Sequence, residues 1–335
     1  MPTKIAANAA ALRRWLARCE ETLGNHSDRL NAINIFPVAD GDTGTNLYLT
    51  VRAAHQAVAG NQATDLGELL AEAGQSALEN ARGNSGTLIA VLLCSMAEPL
   101  RGAQRLSPQL LASALSRAQI RAWSALSDPL RGTMLSVLEA SAEGAATADS
   151  ALGGDDSNYA LSVTLDAVVE AAREAVIRTE DQLDQLRHAH VVDAGGVGLL
   201  LVLDCLRSVI VHQETNSELV EGLAGYGNEV GNMHATLEVV DGFELMCTIS
   251  LSPLDAATLR MRLDELGDSV IMSPMGQPQE PEQSRSSEQQ ETYRWRVHVH
   301  APAAEPALAA IEALGVPDHV SVTPLRIATH DEPDF

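Results

Sequence analysis

Between residues 6 and 212 the sequence is a succession of helical stretches, and four of the breaks between them share one form. Each is a short glycine-bearing polar turn that leads into the next apolar run: residues 40–46 (DGDTGTN), 83–86 (GNSG), 132–133 (GT) and 193–198 (DAGGVG). A helix start presents unpaired backbone N–H groups and the positive end of the helix dipole, so it attracts anions. Any one such turn also reads as an ordinary way to join two helices. Four in one helical region, one of them carrying paired carboxylates, point to a shared phosphate and metal site. The helices expected around the turns cover residues 6–22, a stretch from Thr43 or Thr45 through Ala54, then 66–79, 87–96, 106–125, 133–146, 159–180 and a last one to 212. Aromatic residues are only 3% of the chain while Ala and Leu abound, which favours closely packed helices.

The first turn carries the chemistry. Asp40 and Asp42 stand one glycine apart, followed by Thr43, Gly44, Thr45 and Asn46. Carboxylates this close repel unless something positive sits between them. Oxygen donors suit Mg²⁺, which usually also takes substrate phosphates. A bare Asp-Gly-Asp is more often a solvated turn. Here Ile33, Ile35, Phe36 and Val38, with Pro37 among them, make a rigid apolar approach, as for a polar loop held on a scaffold.

After residue 212 the pattern changes. Residues 213–235 are polar and read as a linker. Residues 236–328 alternate strand and helix in the order β-α-β-β-α-β, the split βαβ or ferredoxin-like arrangement. Within them 275–291 reads as a mobile loop, and 329–335 as a frayed acidic tail. The expected fold is therefore an all-helical domain over 1–212 followed by a smaller α+β domain.

The formal net charge of −23 opposes binding to nucleic acids and anionic membranes, which need basic patches. It does not oppose a nucleotide, because metal ions supply positive charge locally. Cys19, Cys94, Cys205 and Cys247 are too scattered for a disulfide framework and read as reduced, in a cytoplasmic protein. The N-terminus has no apolar signal core, and no apolar run reaches spanning length, so no membrane insertion is expected.

The turns, taken together and in order, resemble a known family. Residues 34–46 (NIFPVADGDTGTN), 81–86 (ARGNSG), 132–135 (GTML) and 192–196 (VDAGG) resemble the nucleotide-binding L subunit of dihydroxyacetone kinases, and more closely the A subunit of bacterial fatty acid kinase. Residues 266–270 (LGDSV) and 297–300 (VHVH) resemble the middle domain of the latter. The resemblance implies an antiparallel barrel of eight helices with ATP at one end. It implies that Asp40 and Asp42 hold two Mg²⁺ ions, with Asn34 near the position of a further acidic ligand in the dihydroxyacetone kinase branch. Gly83, Asn84, Ser85 and Gly86 would cradle phosphates alongside residues 43–46. Gly132, Thr133 and Met134 would line the nucleotide, and Asp193, Ala194 and Gly195 would close over it.

The same resemblance implies transfer of a phosphoryl group to a fatty acid carboxylate presented by a lipid-binding B subunit. A carboxylate needs no general base at neutral pH, so positioning and charge neutralisation suffice. Arg82 is a candidate to stabilise the transferring charge, or a surface arginine at a helix start. Other readings are a kinase of a small hydroxy-carbonyl compound such as dihydroxyacetone, and a nucleotide-binding regulatory protein without transfer activity. Such A subunits carry a further C-terminal domain that this sequence, ending at Phe335, is read as lacking.

Cys247, His298 and His300 match positions that the resemblance marks as zinc ligands. Strand alternation cuts against the set: the histidines share one face, while Cys247 falls with Leu245 and Ile249 on the apolar one unless a bulge re-aims it. Without a metal, the histidines are expected on an exposed polar face beside Arg294 and Arg296. A homodimer through an open sheet face is a further expectation.

Overall fold

The computed structural model describes residues 7–227, 242–279 and 291–325. Among the described residues nine α-helices precede the sheet: α1 (Ala9–Ala32), α2 (Thr43–Val58), α3 (Leu66–Asn80), α4 (Gly83–Ala97), α5 (Pro108–Ala125), α6 (Met134–Ala151), α7 (Asn158–Gln182), the short α8 (Asp184–Ala189) and α9 (Ala194–Val211). Capping side chains set most starts. Asn8, Asp65, Ser107, Thr133, Ser157 and Asp193 each accept a backbone N–H from the first turn they open.

α1 runs ten residues past its expected end at residue 22. Leu23 and Leu30 continue its buried stripe, and Gly24 leaves room for the Tyr48 ring of α2, 3.3 Å from where a Cβ would stand. Packing thus overrides the breaking tendency of Gly24-Asn25. Consecutive helices pack on one another, and α9 returns against α1. The Trp15 indole N–H of α1 donates to the Val202 carbonyl of α9 at 2.9 Å.

Contrary to expectation, one helix, α9, is long and apolar enough to cross a membrane; most of it is buried among the other helices. Part of the expected linker is not a linker. Leu219, Val220, Leu223 and Tyr226 are buried in the helical core, and Tyr226 bonds to His26 of α1 at 2.7 Å.

The second part follows the expected order: β1 (Gly242–Leu251), α10 (Pro253–Leu266), β2 (Asp268–Gln279), β3 (Thr292–Ala301), α11 (Ala304–Glu312) and β4 (Asp318–Leu325). The sheet order is β2-β3-β1-β4, with all neighbours antiparallel. β2 continues to Gln279, so the expected loop over 275–291 starts later; residues 280–290, the strand start over 236–241 and the tail lie outside the described residues.

The sheet is covered on both faces. Leu245, Cys247, Ile249, Val297 and Val299 pack under α10 and α11. Met246, Ile271 and Met275 join the core of the helical part instead. Each such burial is worth about 1.5–3 kcal/mol, enough to hold the sheet against the helices. Polar ties add to it. Arg260 donates to the carbonyls of Ser124 and Ala125, Arg296 donates to that of Ala81, and Ser127 N–H donates to that of Val270 at 3.0 Å. The face expected to be open for a dimer is therefore largely occupied by the chain itself; β4 is its exposed edge, with Val320 and Val322 in solvent.

Candidate functional site

The loop from Asn34 to Thr43 is braced from inside. Asn34 is buried; its side-chain N–H donates to Asp40 Oδ1, and its Oδ1 accepts the Thr43 hydroxyl at 2.9 Å. Both ends of the amide are engaged in the loop, so Asn34 acts as its brace rather than as a ready metal ligand. Asn31 Oδ1 accepts the Gly44 and Thr45 N–H groups at 2.7 and 3.1 Å. Those two helix-start donors thus already have a partner and are not offered to a phosphate.

Asp40 and Asp42 sit close enough to interact. Burial first, and then the neighbouring Asp42 charge, pushes the Asp40 carboxyl up to about 8. Burial also raises Asp42, against a hydrogen bond from Asn46. Two half-buried carboxylates held together form a donor set for a hard divalent cation.

Beside the loop lies a cavity of about 560 Å³, within the range of small-ligand sites. Thr43, Asn84, Ser85, Thr133, Met134, Asp193 and Gly195 line it, so four helix starts do converge on one space. Phe36, Pro37, Val38, Leu88, Leu130 and Leu135 give it an apolar side. Asp193 caps α9 through Gly196 N–H at 2.6 Å, and burial lifts its carboxyl to about 7. Asn84 Oδ1 is buried with no partner among the described residues, an orphan acceptor of the kind a ligand satisfies.

The other expected residues serve the frame. At Gly44 a Cβ would lie 2.2 Å from the Ser27 carbonyl, and at Gly86 it would lie 2.6 Å from Thr50 Oγ1. These glycines permit close helix contact, α1 on α2 and α2 on α4, and do not line the cavity. Gly83, with φ of 60°, lies against the Asn46 side chain, and Gly132, with φ of 86°, lies against Gln182. Thr45 is exposed, and Ala194 is buried away from the cavity. Arg82 is exposed at the N-cap of α4 and is not part of the cavity wall, which leaves it as a surface arginine in this structure.

Nothing in the sequence singled out Glu244, which the sheet brings to two of the expected zinc-ligand positions, His298 and His300. Glu244 lies directly across from His300 in the β1–β3 pairing, and His298 lies across from Met246. Glu244, His298 and His300 bring potential ligand atoms within 4.8 Å of one another. His298 and His300 are buried rather than exposed, because their face meets the helical part. Cys247 pairs with Val297 on the opposite face, among Leu245 and Ile249; burial raises its thiol to about 12. The irregularity beside it falls in the β1–β4 pairing and does not turn it toward the histidines. Cys247 is thus an apolar core residue.

Glu244 Oε1 accepts the Gly83 N–H at 2.8 Å and lies 3.1 Å from His298 Nε2. Its burial is outweighed by the bond and charge of His298, the charge of His300 and the Gly83 bond, which take its carboxyl down to about 2. Glu244 and His298 both act electrostatically on Asp42, so the two acidic groups are neighbours across the junction.

The family model described as the DAK2 domain matches residues 37–208, from the apolar approach to Asp40 through most of α9. The chain belongs to the DAK2 domain family. Similar curated proteins include an uncharacterized protein of Staphylococcus epidermidis, 27% identical over 260 residues, and one of Staphylococcus aureus, 25% identical over 260 residues. Each alignment takes in 75% of this chain and 46% of the relative, so the chain spans about half the length of the curated relatives it matches. Among solved structures, the dihydroxyacetone kinase from C. freundii in complex with AMP-PNP and Mg²⁺ is similar at 19% identity, over 62% of this chain and 36% of that one, with a TM-score of 0.45.

Proposed function

We propose that this chain is an ATP- and Mg²⁺-dependent phosphotransferase of the cytoplasm, acting on the carboxylate of a fatty acid held by a lipid-binding partner subunit. The observation that carries the reading is the half-buried Asp40–Asp42 pair beside a cavity where four helix starts converge. Membership of the DAK2 domain family and the resemblance of residues 34–46 and 81–86 to fatty acid kinase support it. The reading includes the antiparallel eight-helix barrel.

Asp40 and Asp42 would hold magnesium, which when bound supplies the positive charge that a triphosphate needs. The chain does the rest by placement. The starts of α4, α6 and α9 orient the polyphosphate by dipole, and Asn84 and Ser85 offer side chains at the α4 end. Phe36, Val38, Leu88 and Leu135 keep water from the apolar side. No side chain needs to remove a proton, because a carboxylate acceptor arrives ionised.

In the same reading a zinc ion would sit at Glu244, His298 and His300, with Cys247 outside the set. His300 Nδ1 is buried without a hydrogen-bond partner among the described residues and 3.8 Å from Asp268 Oδ1, which fits a cation there. Zinc content of the purified chain, with and without His300→Ala, tests this part alone.

The test of the main reading is isotope transfer from γ-labelled ATP to a fatty acid, with a lipid-binding partner subunit added. Labelled acyl phosphate is the expected product. Label passing instead to dihydroxyacetone would move the acceptor to a small hydroxy-carbonyl compound. Tight nucleotide binding with transfer to neither would make the chain a nucleotide-binding regulator.

A further inference from the structure

The stretch Leu266-Gly267-Asp268-Ser269-Val270 has no role in the mechanism above, yet the structure places it in the wall of the same cavity. Asp264, Gly267, Asp268, Ser269 and Val270 line it together with Asn84, Thr133 and Asp193. The turn is built to stay there. A Cβ on Gly267 would fall 1.9 Å from the His300 carbonyl oxygen, so only glycine lets α10 end this close to β3. Ser269 holds φ of 54°, a left-handed conformation that serine rarely adopts.

Two sets of bonds fasten the turn to the helical part. The Val270 carbonyl accepts Ser127 N–H, and the Ser269 carbonyl lies 3.1 Å from His298 Nδ1. The other nitrogen of that ring meets Glu244, which in turn accepts the N–H of Gly83 at the start of α4. Both ring nitrogens thus lie within hydrogen-bond reach of acceptors. One imidazole and one carboxylate therefore link the wall of the cavity to the helix start at its phosphate end.

Two buried side-chain oxygens at the cavity have no partner among the described residues: Asn84 Oδ1 at the α4 end and Ser127 Oγ beside the turn. Leaving such atoms unpaired costs roughly 1–3 kcal/mol each, so they mark two separate places where a polar ligand bonds. The charges around the cavity are not uniform. Asp128, Asp264 and Asp268 belong to the wall, whereas the starts of α4 and α6 contribute the neutral side chains of Asn84, Ser85 and Thr133. Carboxylates repel phosphate and accept hydroxyl or amine donors.

We propose that the Gly267–Ser269 turn of the second domain is half of the nucleotide site and binds the ribose and base, with the phosphates at the starts of α4, α6 and α9. This rests on the nucleotide reading given above. It makes the second domain a working wall of the site, so that a nucleotide binds across the domain junction and is read by both parts of the chain.

The test uses the full chain and two probes, Mg·ATP and Mg·tripolyphosphate, measured by titration calorimetry. Asp268 is largely exposed, and Asp268→Ala removes only its loose 3.8 Å contact with His300 Nδ1. It should weaken Mg·ATP by roughly tenfold while leaving Mg·tripolyphosphate, which has no ribose, unaffected. Ser269→Trp, which fills the wall, should weaken Mg·ATP by more. Because that variant strains the turn, photolabelling of the wild-type chain with an azido-adenine ATP provides a second measurement. Label on the peptide containing Gly267–Val270 supports the assignment. Label confined to the helical part, or equal Mg·ATP affinity in the wild-type chain and both variants, overturns the assignment and leaves the nucleotide reading standing. No Mg·ATP binding by the wild-type chain overturns both.

Discussion

Asp42 and Glu244 are half-buried neighbours across the domain junction, and their surroundings push them in opposite directions. Burial raises the Asp42 carboxyl, and the Glu244 charge raises it further. Glu244 suffers a similar burial but has His298 against it, His300 nearby and the Gly83 N–H, and it falls to about 2. A carboxylate held by its own hydrogen-bond donors is complete. A carboxylate beside another carboxylate is not, and a bound cation would supply what is missing. The metal loop and the sheet cluster are thus unlike in kind, although both gather potential ligands.

The largest effect expected is on the complete side. Glu244→Ala leaves the His298 ring and Gly83 N–H without an acceptor and should cost roughly 3–5 kcal/mol in urea unfolding. Glu244→Gln keeps an acceptor and should cost less. An unchanged midpoint in Glu244→Ala would show that the cluster is not self-neutralised, and the contrast with Asp42 would fail.

Asp193 sharpens the contrast from a third position, because burial alone lifts it to about 7, opposed by the N–H groups of Gly196 and Met134. Between about pH 4 and 7 the folded protein keeps a proton on Asp193 that the unfolded chain has released. The unfolded state then binds fewer protons, so this group lowers stability as pH rises through that window, by roughly 2–4 kcal/mol in all. Asp193→Asn, which retains a cap for α9, should flatten that part of the stability profile. An identical profile in the variant would show that burial alone does not hold the proton.

The incomplete side gives a smaller change of opposite sign. Without divalent ions, Asp40→Asn relieves the repulsion with Asp42 and should stabilise the fold by about 1–2 kcal/mol. In the wild type, Mg²⁺ at about a hundred times its dissociation constant should add ~2.7 kcal/mol, read as a rise in melting temperature, and the variant should lose that response. A variant that still responds would remove the metal from this loop.

What the sequence showed and what it hid divide along the same junction. Asp40, Asp42, Thr133 and Asp193 were legible because local features carry them: a glycine turn, a cap and a following apolar run. The order of strands and helices in the second part was legible for the same reason. Glu244 was not, because its role depends on facing His300 across β1 and β3 and on that face meeting Gly83, 161 residues away. Gly44 and Gly86 look like phosphate glycines in sequence, yet their lack of a Cβ serves helix packing. Glycine for a close approach and glycine for a ligand leave the same letter.

Cys247 gives the smallest effect and the finest cut between the two faces of the sheet. It lies against Leu245, Ile249 and Val297, under the helices, while His298 and His300 point to the junction. Cys247→Ala should cost only about 1 kcal/mol, as for the loss of a small buried group. It should leave the metal content of the purified chain where the wild type has it, measured side by side by mass spectrometry of the elements. A loss of bound metal in Cys247→Ala equal to that in His300→Ala would place the thiol on the histidine face. That requires β1 to be paired one residue out of the register described here, which would carry Glu244 away from His298 and Gly83 as well.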